Sequence, residues 1–111
     1  MKYCIKPEER ESTCYHEFYK GKWDEKSFWK EDSLLLHDDV LFSLPDLVDA
    51  IKTVLPSYDP YGITEVSEEE WCMIGEIMSQ KGGKAQAIYA EIDEWAADAF
   101  KGEGCFTILG I

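Results

Sequence analysis

No run of apolar residues in this 111-residue chain approaches the length of about 18 that a membrane-spanning helix requires. The opening decapeptide, MKYCIKPEER, has neither an apolar leader core nor a small-residue cleavage site, so the expected compartment is the cytoplasm. Basic residues are scarce: 11 Lys and Arg stand against 23 Asp and Glu, a net charge of −12. A surface of that sign repels nucleic acid and anionic membranes, which argues against both as partners, and it attracts basic proteins. The scarcity is uneven. Residues 1–30 hold 7 basic and 6 acidic side chains, whereas residues 31–111 hold 4 and 17. Acidity also serves plain solubility, so charge alone names no partner.

Closely spaced metal-binding or redox pairs are missing too. Cys4, Cys14, Cys72 and Cys105 form no C-x-x-C motif and are expected reduced and mostly buried. Cys14 and His16 would share one side of a strand, with Cys4 in reach. Structural zinc sites, however, bring their ligands in paired spacings, and neither a metal nor a cofactor is expected. Nucleotide loops, H-E-x-x-H, G-x-S-x-G and calcium-loop spacings are absent. KGGK at 81–84 follows a helical pattern rather than a strand, so it reads as a turn and not a phosphate loop. Asp38, Asp39, Asp46 and Asp49 lack the loop glycine of a cation site. His16 lies beside Glu17, and His37 beside Asp38 and Asp39. A Cys14–His37 nucleophile–base pair is the catalytic alternative. The expectation is a protein without enzymatic activity.

What is present is ample material for a core. Hydrophobic residues make up 45% and aromatics 14% of the chain, the composition of a folded domain, here expected as one unit over residues 1–111. MKYCIKP reads as a strand stopped by Pro7. TCYHEFYK alternates, with Cys14, His16 and Phe18 on one side and Tyr15, Glu17 and Tyr19 on the other. SLLLHDD reads as a short buried strand. Leu44, Leu47, Val48, Ile51 and Leu55 then recur at helical spacing, with Ser43 as the expected N-cap. ITEV is a short strand.

The run VSEEEW (66–71) crowds three glutamates into one turn. Ser67 and Glu70 form an S-x-x-E capping box, and Glu68 and Glu69 occupy a first turn where backbone N–H groups favour negative charge. Trp71, Ile74 and Met78 are the buried stripe of that helix, which spans about 68–80. A second helix runs over about 84–101, with Ile88, Ile92, Trp95 and Ala99 inward and Glu91, Glu94 and Asp98 outward. Those like charges repel one another without a local reason. CFTILGI closes the chain as a strand whose unbroken hydrophobicity places it centrally in the sheet. The fold class expected is therefore α+β: a small antiparallel or mixed sheet with about three helices mainly on one face.

Trp23, Phe28, Trp29, Tyr58 and Tyr61 lie in polar or turn-rich stretches, where they serve either as interface anchors or as lids on the core. The acidic helix AEIDEWAADAF followed by GCFTILGI, in a small acidic chain, resembles small immunity proteins of bacterial polymorphic-toxin and contact-dependent inhibition systems. The resemblance implies a cognate toxin encoded nearby and neutralised in the cytoplasm by covering its active site. A basic, nuclease-like toxin is the expected partner, and the chain itself is expected as a monomer or weak homodimer. Three groups are the candidate binding residues: Glu91, Glu94 and Asp98; Asp46 and Asp49; and Asp59 with Tyr58 and Tyr61. Reversing Glu91 and Glu94 to lysine is expected to slow association with a basic partner and leave the fold intact. A regulatory interaction module without a toxin is the alternative.

Overall fold

The computed structural model describes residues 2–110. Met1 and Ile111, the outer ends of two expected strands, lie outside the described residues. Four antiparallel strands form one sheet: β1 (Tyr15–Lys20), β2 (Leu34–His37), β3 (Ile63–Ser67) and β4 (Cys105–Leu109), in the order β2-β1-β4-β3. Four helices accompany them: α1 (Asp38–Phe42), α2 (Pro45–Val54), α3 (Glu68–Lys81) and α4 (Gly83–Glu103). The fold is α+β. The C-terminal strand β4 lies between β1 and β3, which is why its residues Phe106 to Leu109 are all buried.

One face of the sheet carries Phe18, Leu34, Leu36, Val66, Phe106 and Ile108, packed with Leu47, Ile51, Trp71, Ile74, Met78, Ile88 and Ile92 of the helices. Trp71 is the largest fully buried side chain. It stacks on Tyr89 at 4.4 Å and meets Phe106 edge-on at 5.2 Å, a geometry that favours the ring quadrupoles. The capping box at the start of α3 is present in both directions: Glu70 N–H donates to Ser67 Oγ at 3.1 Å, and Ser67 N–H to Glu70 Oε1 at 2.9 Å. Tyr89 also donates its hydroxyl to the Trp71 carbonyl and passes directly over Gly75, where a Cβ would collide with Tyr89 Oη. Gly75→Ala is therefore expected to destabilise the protein by about 1–2 kcal/mol through overpacking, in spite of the gain of about 1 kcal/mol in helix propensity. A fall in urea midpoint checks it; a rise would mean that propensity wins.

Three sequence expectations about the elements need correction. The strand expected over SLLLHDD ends at His37, and Asp38 and Asp39 open α1 instead. Ser43 is not the N-cap of α2. It closes the short α1, with its Oγ donating to the Val40 carbonyl, and α2 begins at Pro45 behind Leu44 without a side-chain cap. The expected N-terminal strand shrinks to a single bridge between Ile5 and Leu35. The amides of Lys2, Tyr3 and Cys4 go instead to the carboxylate of Glu91.

The second face of the sheet is covered in part by residues 21–33, and over β3 it stays open, with Ile63 and Glu65 exposed. Glu17, pointing there from β1, is 1% exposed. It accepts hydrogen bonds from Trp29 N–H (2.8 Å), Lys30 N–H (3.0 Å) and Ser33 Oγ (2.6 Å). Trp29 has φ +58°, a left-handed backbone uncommon for a bulky residue. In that conformation consecutive N–H groups converge into an anion-binding nest, and Glu17 fills it. The Trp29 ring meets Tyr15 edge-on, and Lys30 Nζ lies over the Tyr19 ring. Trp29, drawn from a polar stretch, thus acts as a lid on the sheet.

Candidate functional site

The fold binds many of its own carboxylates. Glu9, Glu17, Asp24, Asp59, Glu70 and Glu91 accept backbone N–H groups, Asp38 bonds His16, and Asp93 accepts the Trp71 indole N–H. Asp24, held by the amides of Ser27 and Lys26, has its carboxyl pulled down to about 2. The cations are engaged differently. Lys2 and Lys84 lie over the Tyr3 ring, Arg10 over Trp29 and Lys30 over Tyr19. Among the described residues, no Lys or Arg comes within 4.0 Å of a carboxylate; both ion pairs involve histidine. The exposed acids among the described residues therefore have no Lys or Arg in direct contact, though Lys26 lies close enough to Asp24 to help lower its carboxyl.

The three expected acidic groups lie on α4, on α2 and in the loop before β3. Glu94 and Asp98 are exposed on α4, and Asp46 and Asp49 are exposed on α2. Asp59 accepts the Tyr61 N–H in a tight turn, and Tyr61 is 78% exposed. Tyr58 is buried and unavailable to a partner. Its hydroxyl meets His16 Nε2 at 2.9 Å, while His16 Nδ1 meets Asp38 Oδ1 at 2.7 Å. The carboxylate must accept, so the His16 proton is assigned to Nδ1 and Nε2 accepts from Tyr58. Burial and the charges of Asp38 and Asp59 push the Tyr58 hydroxyl up to about 12, the opposite of an activated nucleophile. His37, the other candidate base, accepts the Asp39 N–H as the cap of α1. Cys14 is exposed. The Cys4 thiol is pushed up to about 12 by burial and by Glu91. Among the described residues, no three His, Cys, Asp or Glu side chains form a group able to hold a metal ion.

Glu91 has a structural task that its helical spacing did not reveal. Its two oxygens accept from Lys2, Tyr3 and Cys4 N–H at 2.9–3.2 Å, fastening the N-terminal segment to α4. Reversing Glu91 would detach this strap as well as alter the field, so it is not a fold-neutral charge change. Burial raises the Glu91 carboxyl, and the three amides more than reverse this, leaving it below its ordinary value. A carboxyl lowered by folding stabilises above its unfolded pKa and loses that contribution as pH falls through the folded value. The strap is expected to hold at neutral pH and to loosen as pH falls through the lowered value of the Glu91 carboxyl. Amide protection at Tyr3 and Cys4, followed from neutrality to about pH 3, checks this. Protection that is undiminished in Glu91→Gln and unchanged by pH would contradict it.

The strap forms one wall of a groove of about 770 Å³ lined by Cys4, Ile5 and Leu34, by Trp95 of α4, and by charged side chains from three separate segments. Glu8 and Glu9 come from the strap, Glu31 and Asp32 from the segment before β2, and Asp98 from α4, with Lys6 and Lys20 among them. The half-buried Trp95 is fixed by its indole N–H on the Asp32 carbonyl at 2.9 Å and by edge contacts to Phe18 and Phe106. Of the expected binding residues only Asp98 lines this groove. Trp95 read as a core residue, and the acids of residues 8–9 and 31–32 as parts of connections; nothing in local periodicity could bring them together. Among the described residues, no helix is long and apolar enough to cross a membrane. Comparison of the chain with protein-family models, curated proteins and solved structures gives no match.

Proposed function

We propose that this protein is a non-catalytic acidic inhibitor that binds and neutralises a basic protein toxin of nuclease type by covering its active site, in the manner of the immunity proteins it resembles. The observation that carries the reading is the unneutralised charge. A net −12 chain whose carboxylates have no Lys or Arg within 4.0 Å among the described residues presents a strong field to a cationic surface, and such fields accelerate encounter. Carboxylates on a rigid scaffold replace the substrate phosphates that a nuclease groove is built to hold. The test is co-expression with the product of the neighbouring reading frame. Toxicity of that product alone, relieved by this protein, is expected. A neighbour that is harmless, or toxic regardless of this protein, would defeat the reading.

A further inference from the structure

The groove beside Trp95 has chemistry more specific than general acidity. Its floor is apolar, from Cys4, Ile5, Leu34 and an indole held in place on two sides. Its rim bears five carboxylates, Glu8, Glu9, Glu31, Asp32 and Asp98, against two lysines. Glu9 is partly engaged by the Lys6 amide, whereas no hydrogen bond occupies the side-chain oxygens of Glu31, Asp32 and Asp98 among the described residues. An indole surface flanked by carboxylates suits a guanidinium group. The group is planar and weakly hydrated, stacks on aromatic rings and donates in a fork to carboxylates, whereas an ammonium group holds its water and offers no flat face. A volume of about 770 Å³ accommodates more than one side chain, so a short extended segment fits better than a lone residue.

We propose that this groove is the docking site for an arginine-bearing basic segment of a protein partner, with a guanidinium against Trp95 and its charge met by Asp98, Glu31 and Asp32. The proposal rests on the inhibitor reading for the identity of the partner, but the groove's preference is testable apart from it. Lys6 and Lys20 also line the groove, and they weaken its pull on a cation without cancelling the five carboxylates. The groove exists only while the strap is fastened, because Cys4, Ile5, Lys6, Glu8 and Glu9 belong to it.

The experiment titrates the intact protein with amidated tetra-arginine and tetra-lysine peptides at low salt, reading the indole N–H resonance of Trp95 and the backbone amides. The arginine peptide is expected to shift Trp95 and the strap amides. It should bind about tenfold more tightly than the lysine peptide and lose about tenfold in the isosteric variant Asp98→Asn with Glu31→Gln, which removes two negative charges. Both of these side chains are exposed, so the variant keeps its fold, which the unchanged remaining spectrum confirms. Equal affinity for both peptides, shifts centred on α2 or α3, or binding indifferent to the variant would overturn the proposal. Neutralisation of the neighbouring toxin with undiminished potency by the same variant would remove the groove and leave the inhibitor reading standing. Arginine-selective binding without any neutralisation would do the reverse.

Discussion

Replacement of Glu17 by alanine is expected to cost about 3–5 kcal/mol, the loss associated with breaking a buried charged hydrogen-bond network. The side chain is 1% exposed and no Lys or Arg pairs with it; its charge is met by two consecutive amides and the Ser33 hydroxyl. Alanine leaves those donors without an acceptor, and each buried one costs about 1–3 kcal/mol. It also removes the anion that holds Trp29 at φ +58°. With the nest empty, the 21–33 segment has reason to lift, exposing Tyr15, Tyr19, Leu35 and Leu109, which are buried now. Glutamine keeps the shape but places an NH₂ group where a second acceptor is needed, so an intermediate loss of about 2 kcal/mol is expected. Urea denaturation gives the energies, and amide exchange across residues 21–33 locates the opening. A Glu17→Ala protein within about 0.5 kcal/mol of the parent would mean that the segment is held by its aromatic contacts alone.

Under the proposed inhibitor reading, reversal of the groove charges, Glu31→Lys with Asp98→Lys, is expected to slow association with a basic partner by about 10–100-fold at low salt. Both side chains are exposed and neither accepts a hydrogen bond among the described residues, so folding should be little affected. The matching reversal on α2, Asp46→Lys with Asp49→Lys, changes net charge equally but lies away from the groove lining. It is expected to slow association by no more than a few-fold through the long-range field. Equal effects from the two pairs would show that net charge matters and location does not.

The parts of the fold that local periodicity specifies were legible in the chain. The stripe Trp71, Ile74 and Met78, the Ser67–Glu70 capping box and the apolar run ending at Leu109 each gave their element, and the last gave its central place in the sheet. What stayed hidden depends on partners far along the chain. Glu17 and Glu91 are ordinary surface acids by spacing, yet one is bound by residues 29, 30 and 33 and the other by residues 2–4. The N-terminal residues alternate like a strand, but a carboxylate on α4 takes the amides a neighbouring strand would have used, and Pro7 begins a 3₁₀ turn. The candidate site suffered in the same way. Of its eight expected residues, Tyr58 lies buried against His16, Glu91 fastens the strap, and Asp98 alone lines the groove. The remaining walls come from connections that carry no periodic signal.

The most direct measurement is the association rate between this protein and the product of the neighbouring reading frame, the toxin proposed above, taken by stopped flow at about 20 mM and about 200 mM salt. A docking surface of unneutralised carboxylates requires a rapid rate at the lower concentration that falls by about tenfold or more at the higher one. A rate indifferent to salt, or no complex between the two proteins, would contradict the account.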